Sequence, residues 1–201
     1  MRTYVTGARH EAGRFRRPLE LTLAIALGSG CAPLASLRPA SALMAGRDNE
    51  VGLGAVAVSP RAFVDEPWLH SGQLWISRRV TSWLDLSAIS AFDPEAATLG
   101  IGATALVIRA DRFAGGFQAG LGYGWAEGGM PLSVRLFEKT WLYGTPRVSN
   151  IGLHPALGIP VGLSLHVADA AFVRLEYQSS WEQFVAYNQR NHFAAALAVQ
   201  W

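Results

Sequence analysis

Residues 151–167, IGLHPALGIPVGLSLHV, constrain the fold more than any other stretch of the chain. The odd positions are Ile151, Leu153, Pro155, Leu157, Ile159, Val161, Leu163, Leu165 and Val167. The even positions are Gly152, His154, Ala156, Gly158, Pro160, Gly162, Ser164 and His166. Successive side chains of a β-strand point to opposite faces, so one face here is large and apolar and the other is small or polar. A long strand divided in this way suits a wall with hydrocarbon on one side and a filled interior on the other. Pro155 and Pro160 sit uneasily in it, because each removes a ladder donor from a strand that a closed barrel pairs on both sides.

Alternation of the same kind recurs from Asn49 to the end. It predicts strands over residues 50–59, 69–79, 82–92, 98–109, 113–125, 151–167, 171–181 and 192–201. The connections alternate in length. Those between the second and third, fourth and fifth, and sixth and seventh strands are tight. The longest, residues 126–150, contains Gly128-Gly129, Pro131 and Pro146 and reads as an external loop. Short turns on one side, long loops on the other and an even strand number leave both termini on the periplasmic side. The expectation is an all-β, eight-stranded antiparallel up-and-down transmembrane β-barrel over residues 49–201.

Composition separates this from a soluble barrel. Half of the residues are hydrophobic and 16% are charged, which is low for a soluble domain. A lipocalin-like barrel would turn the Leu/Val/Phe set inward and expose Gly116, Gly120, Gly122, Gly124, Gly158 and Gly162. That surface lacks the charge a soluble protein needs, and Lys139 is the only lysine in the chain. No apolar run in the mature part reaches the length of a membrane-spanning helix. The net charge of +2 forms no basic stripe on any strand, which argues against a nucleic-acid partner.

Residues 1–30 read as a targeting segment, with Arg14, Arg16 and Arg17 before an apolar run at 21–27 and the small residues Gly28, Ser29 and Gly30. Cys31, the only cysteine, follows. This segment resembles a bacterial lipoprotein signal, which implies lipidation of Cys31. Gly28 departs from that pattern, in which a leucine is usual. The other reading is an ordinary signal cut near residues 32–42, with Cys31 discarded. Residues 31–48, with Pro33 and Pro39 and no period, are expected to be a periplasmic linker.

Residues 49–201 resemble the small eight-stranded outer-membrane barrels, the class of the OmpA transmembrane domain and OmpX. The likeness lies in the alternation, in the final aromatic Trp201, and in the girdle candidates Trp68, Tyr123, Trp125, Tyr177 and Trp181. It implies the Gram-negative outer membrane, with its lipid as a partner and other envelope proteins as candidate partners.

In such a barrel Glu50, Arg79, Asp85, Arg174, Glu176 and Gln178 point into the lumen. Buried charges persist when paired, so these residues are expected to form a polar plug, with the glycines of the fifth and sixth strands making room for Arg174, Phe172 or Trp75. A narrow channel is the alternative. A third reading, a lipid A-modifying enzyme, finds no His-X-Ser here, and no histidine has a metal-ligand spacing, so neither catalytic residues, a metal nor a cofactor is expected. Arg135, Lys139, Trp141 and Tyr143 are expected to form a contact site on the long external loop. The functional expectation is a non-enzymatic outer-membrane barrel lipoprotein with a structural or interaction role.

Overall fold

The computed structural model describes residues 37–38, 40, 47–61, 65–94, 96–151, 154–184 and 188–201. The signal segment and Cys31 lie outside the described residues. Twelve strand segments follow in order: β1 (Asn49–Val58), β2 (Leu69–Thr81), β3 (Leu84–Phe92), β4 (Ala97–Arg109), β5 (Phe113–Gly122), β6 (Trp125–Gly129), β7 (Leu132–Phe137), β8 (Thr140–Gly144), β9 (Arg147–Ile151), β10 (His154–Ala168), β11 (Ala171–Glu182) and β12 (Gln189–Gln200). The pairings are antiparallel, and β1 pairs with both β2 and β12, so the sheet closes on itself.

The barrel has ten positions rather than eight. Residues 126–150 are not an external loop. They form a hairpin, β6–β7 against β8–β9, in one continuous register from Trp125↔Ile151 through Gly129↔Arg147 and Leu132↔Gly144 to Arg135↔Trp141. β6 and β7 share one position in the ring beside β5, and β8 and β9 share the next beside β10. The turn at Glu138-Lys139 lies at the same end as both termini, where the Lys139 carbonyl accepts from His166 N–H. The fifth predicted strand also ends earlier than expected. A two-residue turn at Tyr123-Gly124 divides it from β6, with Gly124 at φ 77°, a conformation that suits glycine.

The two strand prolines find their explanation in this hairpin. β8 and β9 are separated at Thr145-Pro146, and β6 and β7 at Met130-Pro131, at the level where Pro160 passes. A Cβ on Gly144 would lie 2.8 Å from the Pro160 carbonyl oxygen, so that carbonyl faces the interrupted strand. A residue's N–H and C=O point to the same neighbour in an antiparallel ladder, so the donor that Pro160 lacks also faces the interruption and costs the β10–β11 ladder nothing. The Pro155 carbonyl accepts from Gln183 N–H, beyond the end of β11, so its missing donor faces past a strand end. The blurred alternation at the end of β4 is a bulge: pairing with β5 shifts register between Leu106 and Ile108.

The wall is sided as the alternation predicts. Leu53, Leu99, Ile101, Phe117, Leu121, Leu175 and Leu197 are outward and exposed, Leu99 and Ile101 by 68%. An apolar face running round a closed barrel is far larger than the patches a soluble protein leaves bare, and it suits hydrocarbon. Aromatic side chains border it. Trp68 and Tyr177 both pack on Phe193 near one rim, and Trp83, Phe137 and Trp201 stand exposed near the other. Trp125, expected in this girdle, is 4% exposed and points inward.

Candidate functional site

The inner face carries the chemistry. Glu50 on β1 is fully buried and receives four donors. Arg174 on β11 grips both of its oxygens, Nη2 to Oε2 at 2.6 Å and Nη1 to Oε1 at 2.9 Å. Trp75 Nε1 donates at 2.7 Å and Gln200 Nε2 at 2.7 Å. Four neighbouring strands bring these groups together without a long reach, since β1 pairs with β2 and β12, and β12 with β11. The Arg174 guanidinium lies 5.8 Å from the Trp75 ring centroid and 5.9 Å from that of Phe172, so aromatic faces shield it on top of the ion pair. A buried charge pair is tolerated only when its remaining donors and acceptors are also satisfied, and here they are.

The expected lumen residues do not form one cluster. Arg79 and Asp85 pair separately, Nε to Oδ1 at 3.2 Å, near the end that holds the termini. Gln178 belongs to a further tier. Its Oε1 accepts from Arg147 Nη2 at 3.0 Å, while Arg147 Nη1 donates to Glu127 Oε2 at 2.9 Å and Gln118 Nε2 reaches Glu127 Oε1 at 3.4 Å. Glu127 and Arg147 escaped the sequence reading because they fell inside the supposed loop. Glu176 Oε2 accepts from the backbone N–H of Leu37 at 2.8 Å. At the far mouth Arg61, Glu66, Glu182 and Arg190 form a closed set of ion pairs between 2.7 and 3.3 Å. The hydrogen bond that Arg61 donates to Glu182, helped by the nearby carboxylate charges, raises the Arg61 guanidinium above its ordinary pKa.

Glycines on the inner face make room for rings, Trp75 among them as expected, but Trp75 uses a glycine of β1, and those of β5 and β10 serve Trp125 and Tyr143. The Trp75 ring occupies the space a Cβ on Gly52 would need, the Trp125 ring that of Gly100, Gly120 and Gly122, and the Tyr143 ring that of Gly162. Tyr143 is 2% exposed, so it belongs to the lumen and not to a surface contact. Arg135, Lys139 and Trp141 sit at or beside the turn at the end with the termini, with the Arg135 guanidinium 5.8 Å from the Trp141 ring.

Part of the stretch expected to be a linker also lies inside. Leu37 is 0% and Ala40 1% exposed. Leu37 packs with Val56, Ala194 and Ala196, and Ala40 with Leu106 and Ala114. The cavity left beside Arg38, Ala40, Asp85 and Gln118 measures about 10 Å³, no more than one water needs.

No family model matches the chain, and no curated protein matches it significantly. Solved structures do match in fold. The translocator domain of the autotransporter NalP from Neisseria meningitidis is 10% identical with a TM-score of 0.51, over 78% of this chain and 89% of that one. An outer-membrane channel from Pseudomonas putida F1 is 7% identical with a TM-score of 0.51, over 77% and 96%. The chain therefore has the fold of the outer-membrane β-barrels.

Proposed function

We propose that this chain is an integral barrel of the Gram-negative outer membrane, closed in its resting state, that serves as a non-catalytic structural or interacting component of the envelope. The observation that carries this reading is the filled lumen. Three tiers of paired charges, the rings of Trp75, Trp125, Tyr143 and Phe172, and Leu37 occupy the interior. A lipid on Cys31 would add a second hold on the membrane beside the barrel itself. Arg135, Lys139 and Trp141 offer a cationic, aromatic contact to a partner in the periplasm, since the hairpin carries them to the end with the termini.

Conductance in planar bilayers tests the closed state. The purified full chain is expected to show no reproducible single-channel steps, and regular steps overturn it. Unaltered lipid A in cells overproducing the chain is expected alongside; a changed acyl pattern would favour an enzyme of the wall instead.

A further inference from the structure

We propose that Leu37, Arg38 and Ala40 form a stopper, retained in the mature chain and held by Arg174 and Glu176, and that displacing it opens the lumen to ions. This rests on the closed outer-membrane barrel proposed above. The stopper is not part of the wall. Leu37 offers both of its backbone groups to side chains of β11: its N–H donates to Glu176 Oε2 at 2.8 Å, and its carbonyl accepts from Arg174 Nη1 at 3.0 Å. Its side chain fills a socket where the inner face is reduced to Gly54 and Ala196, and a Cβ on Gly54 would come within 2.5 Å of Leu37 Cδ1. Three residues on, Ala40 packs against Leu106 of β4 and Ala114 of β5. In the ring of ten positions β4 lies opposite β11, so Leu37 and Ala40 meet opposite sides of the bore.

Two features make the stopper removable. Eight strands enclose a space that side chains alone fill, and the bore widens with strand number. Ten positions, with Gly54, Ala194 and Ala196 on the inner face of the β1–β12 seam, leave room that Leu37 fills. The central charge pair of the wall also stays intact without it. Arg174 keeps both oxygens of Glu50, and Glu50 keeps Trp75 and Gln200. Withdrawal leaves the Leu37 amide and carbonyl, the Glu176 carboxylate that Leu37 N–H meets, and the buried Arg38 guanidinium near Glu50 and Glu127 to be met by the water that enters.

The stopper also bears on processing, since it is compatible with any cut ahead of Leu37 and incompatible with one beyond Ala40. A cut near residue 42 would discard Leu37, empty its socket and strip Glu176 of its backbone donor. A cut before Leu37, as at Cys31, keeps them.

The test uses the full chain purified from the outer membrane. Intact mass is expected to show a mature protein that contains Leu37, and a mature chain that begins after residue 37 overturns the proposal. Two variants address the gate from opposite sides. Leu37→Asp places a charge in the apolar socket beside Glu176, and Gly54→Val fills the socket from the wall. Each is first checked for heat-modifiable gel migration, so a variant that does not fold leaves the other to decide. Folded variants are expected to give discrete conductance steps where the wild type is silent. Folded variants as silent as the wild type overturn the stopper and leave the closed barrel standing. A conducting wild type overturns the closed barrel, and the stopper falls with it if the variants conduct no better.

Discussion

Glu50 shows how much a single inward carboxylate can demand. Its four donors come from β2, β11 and β12, and removing the cation among them leaves a negative charge held by Trp75 and Gln200 alone. Arg174→Met is expected to cost about 3–5 kcal/mol in urea unfolding from detergent or vesicles, the usual penalty for one partner lost from a buried pair. Adding Glu50→Leu is expected to recover much of that loss, because the second change removes the charge that the first left uncompensated. An additive double variant would mean the two side chains are not coupled. Glu50 and Arg174 were readable as inward residues from alternation alone. Their pairing was not, since register round a barrel depends on how many strands stand between them.

The lesson of the elements lies in β6 to β9. Their alternation was present in the sequence: Leu132, Val134 and Leu136 are outward, and Ser133 and Arg135 lie on the other face. Gly128-Gly129, Pro131 and Pro146 masked it, because such residues ordinarily mark loops. Pro131, Pro146 and Pro160 lie at nearly one level of neighbouring strands, where Pro146 and Pro160 turn their missing donors toward the interruptions and Pro131 faces Gly116 of β5. This gives a sharp contrast. Pro160→Ala is expected to change stability by no more than about 0.5 kcal/mol, since the restored N–H faces the interruption. Ile159→Pro, one residue away, removes a donor on the side of Ser179 in β11 and is expected to cost several kcal/mol, because no water in the hydrocarbon replaces a lost ladder bond. Equal effects in urea titrations would reject the directional account.

At the scale of the whole molecule, the solvent decides which face may be apolar. The eight predicted segments and their sidedness were legible because lipid on one side and a filled lumen on the other impose period two on every strand. Strand number and lumen content were not, since both depend on contacts between distant parts of the chain. Leu53, half-way along β1 and 56% exposed, tests the medium. Leu53→Arg is expected to cost about 2–4 kcal/mol for a barrel refolded in vesicles, as charges do on a lipid-facing wall. A surface facing water would register about 0.5 kcal/mol or less.

The β1–β12 seam joins Glu50 to Gln200, separated by 150 residues. Every other strand pairing links segments much closer in sequence, so the seam carries the largest loop-closure cost and forms last. The ring is therefore open for most of its assembly, and the residues just ahead of β1 arrive at one lip of that opening. Leu37 and Ala40 are then enclosed as the last pair of strands meets, so the lumen is filled at the moment the wall is complete.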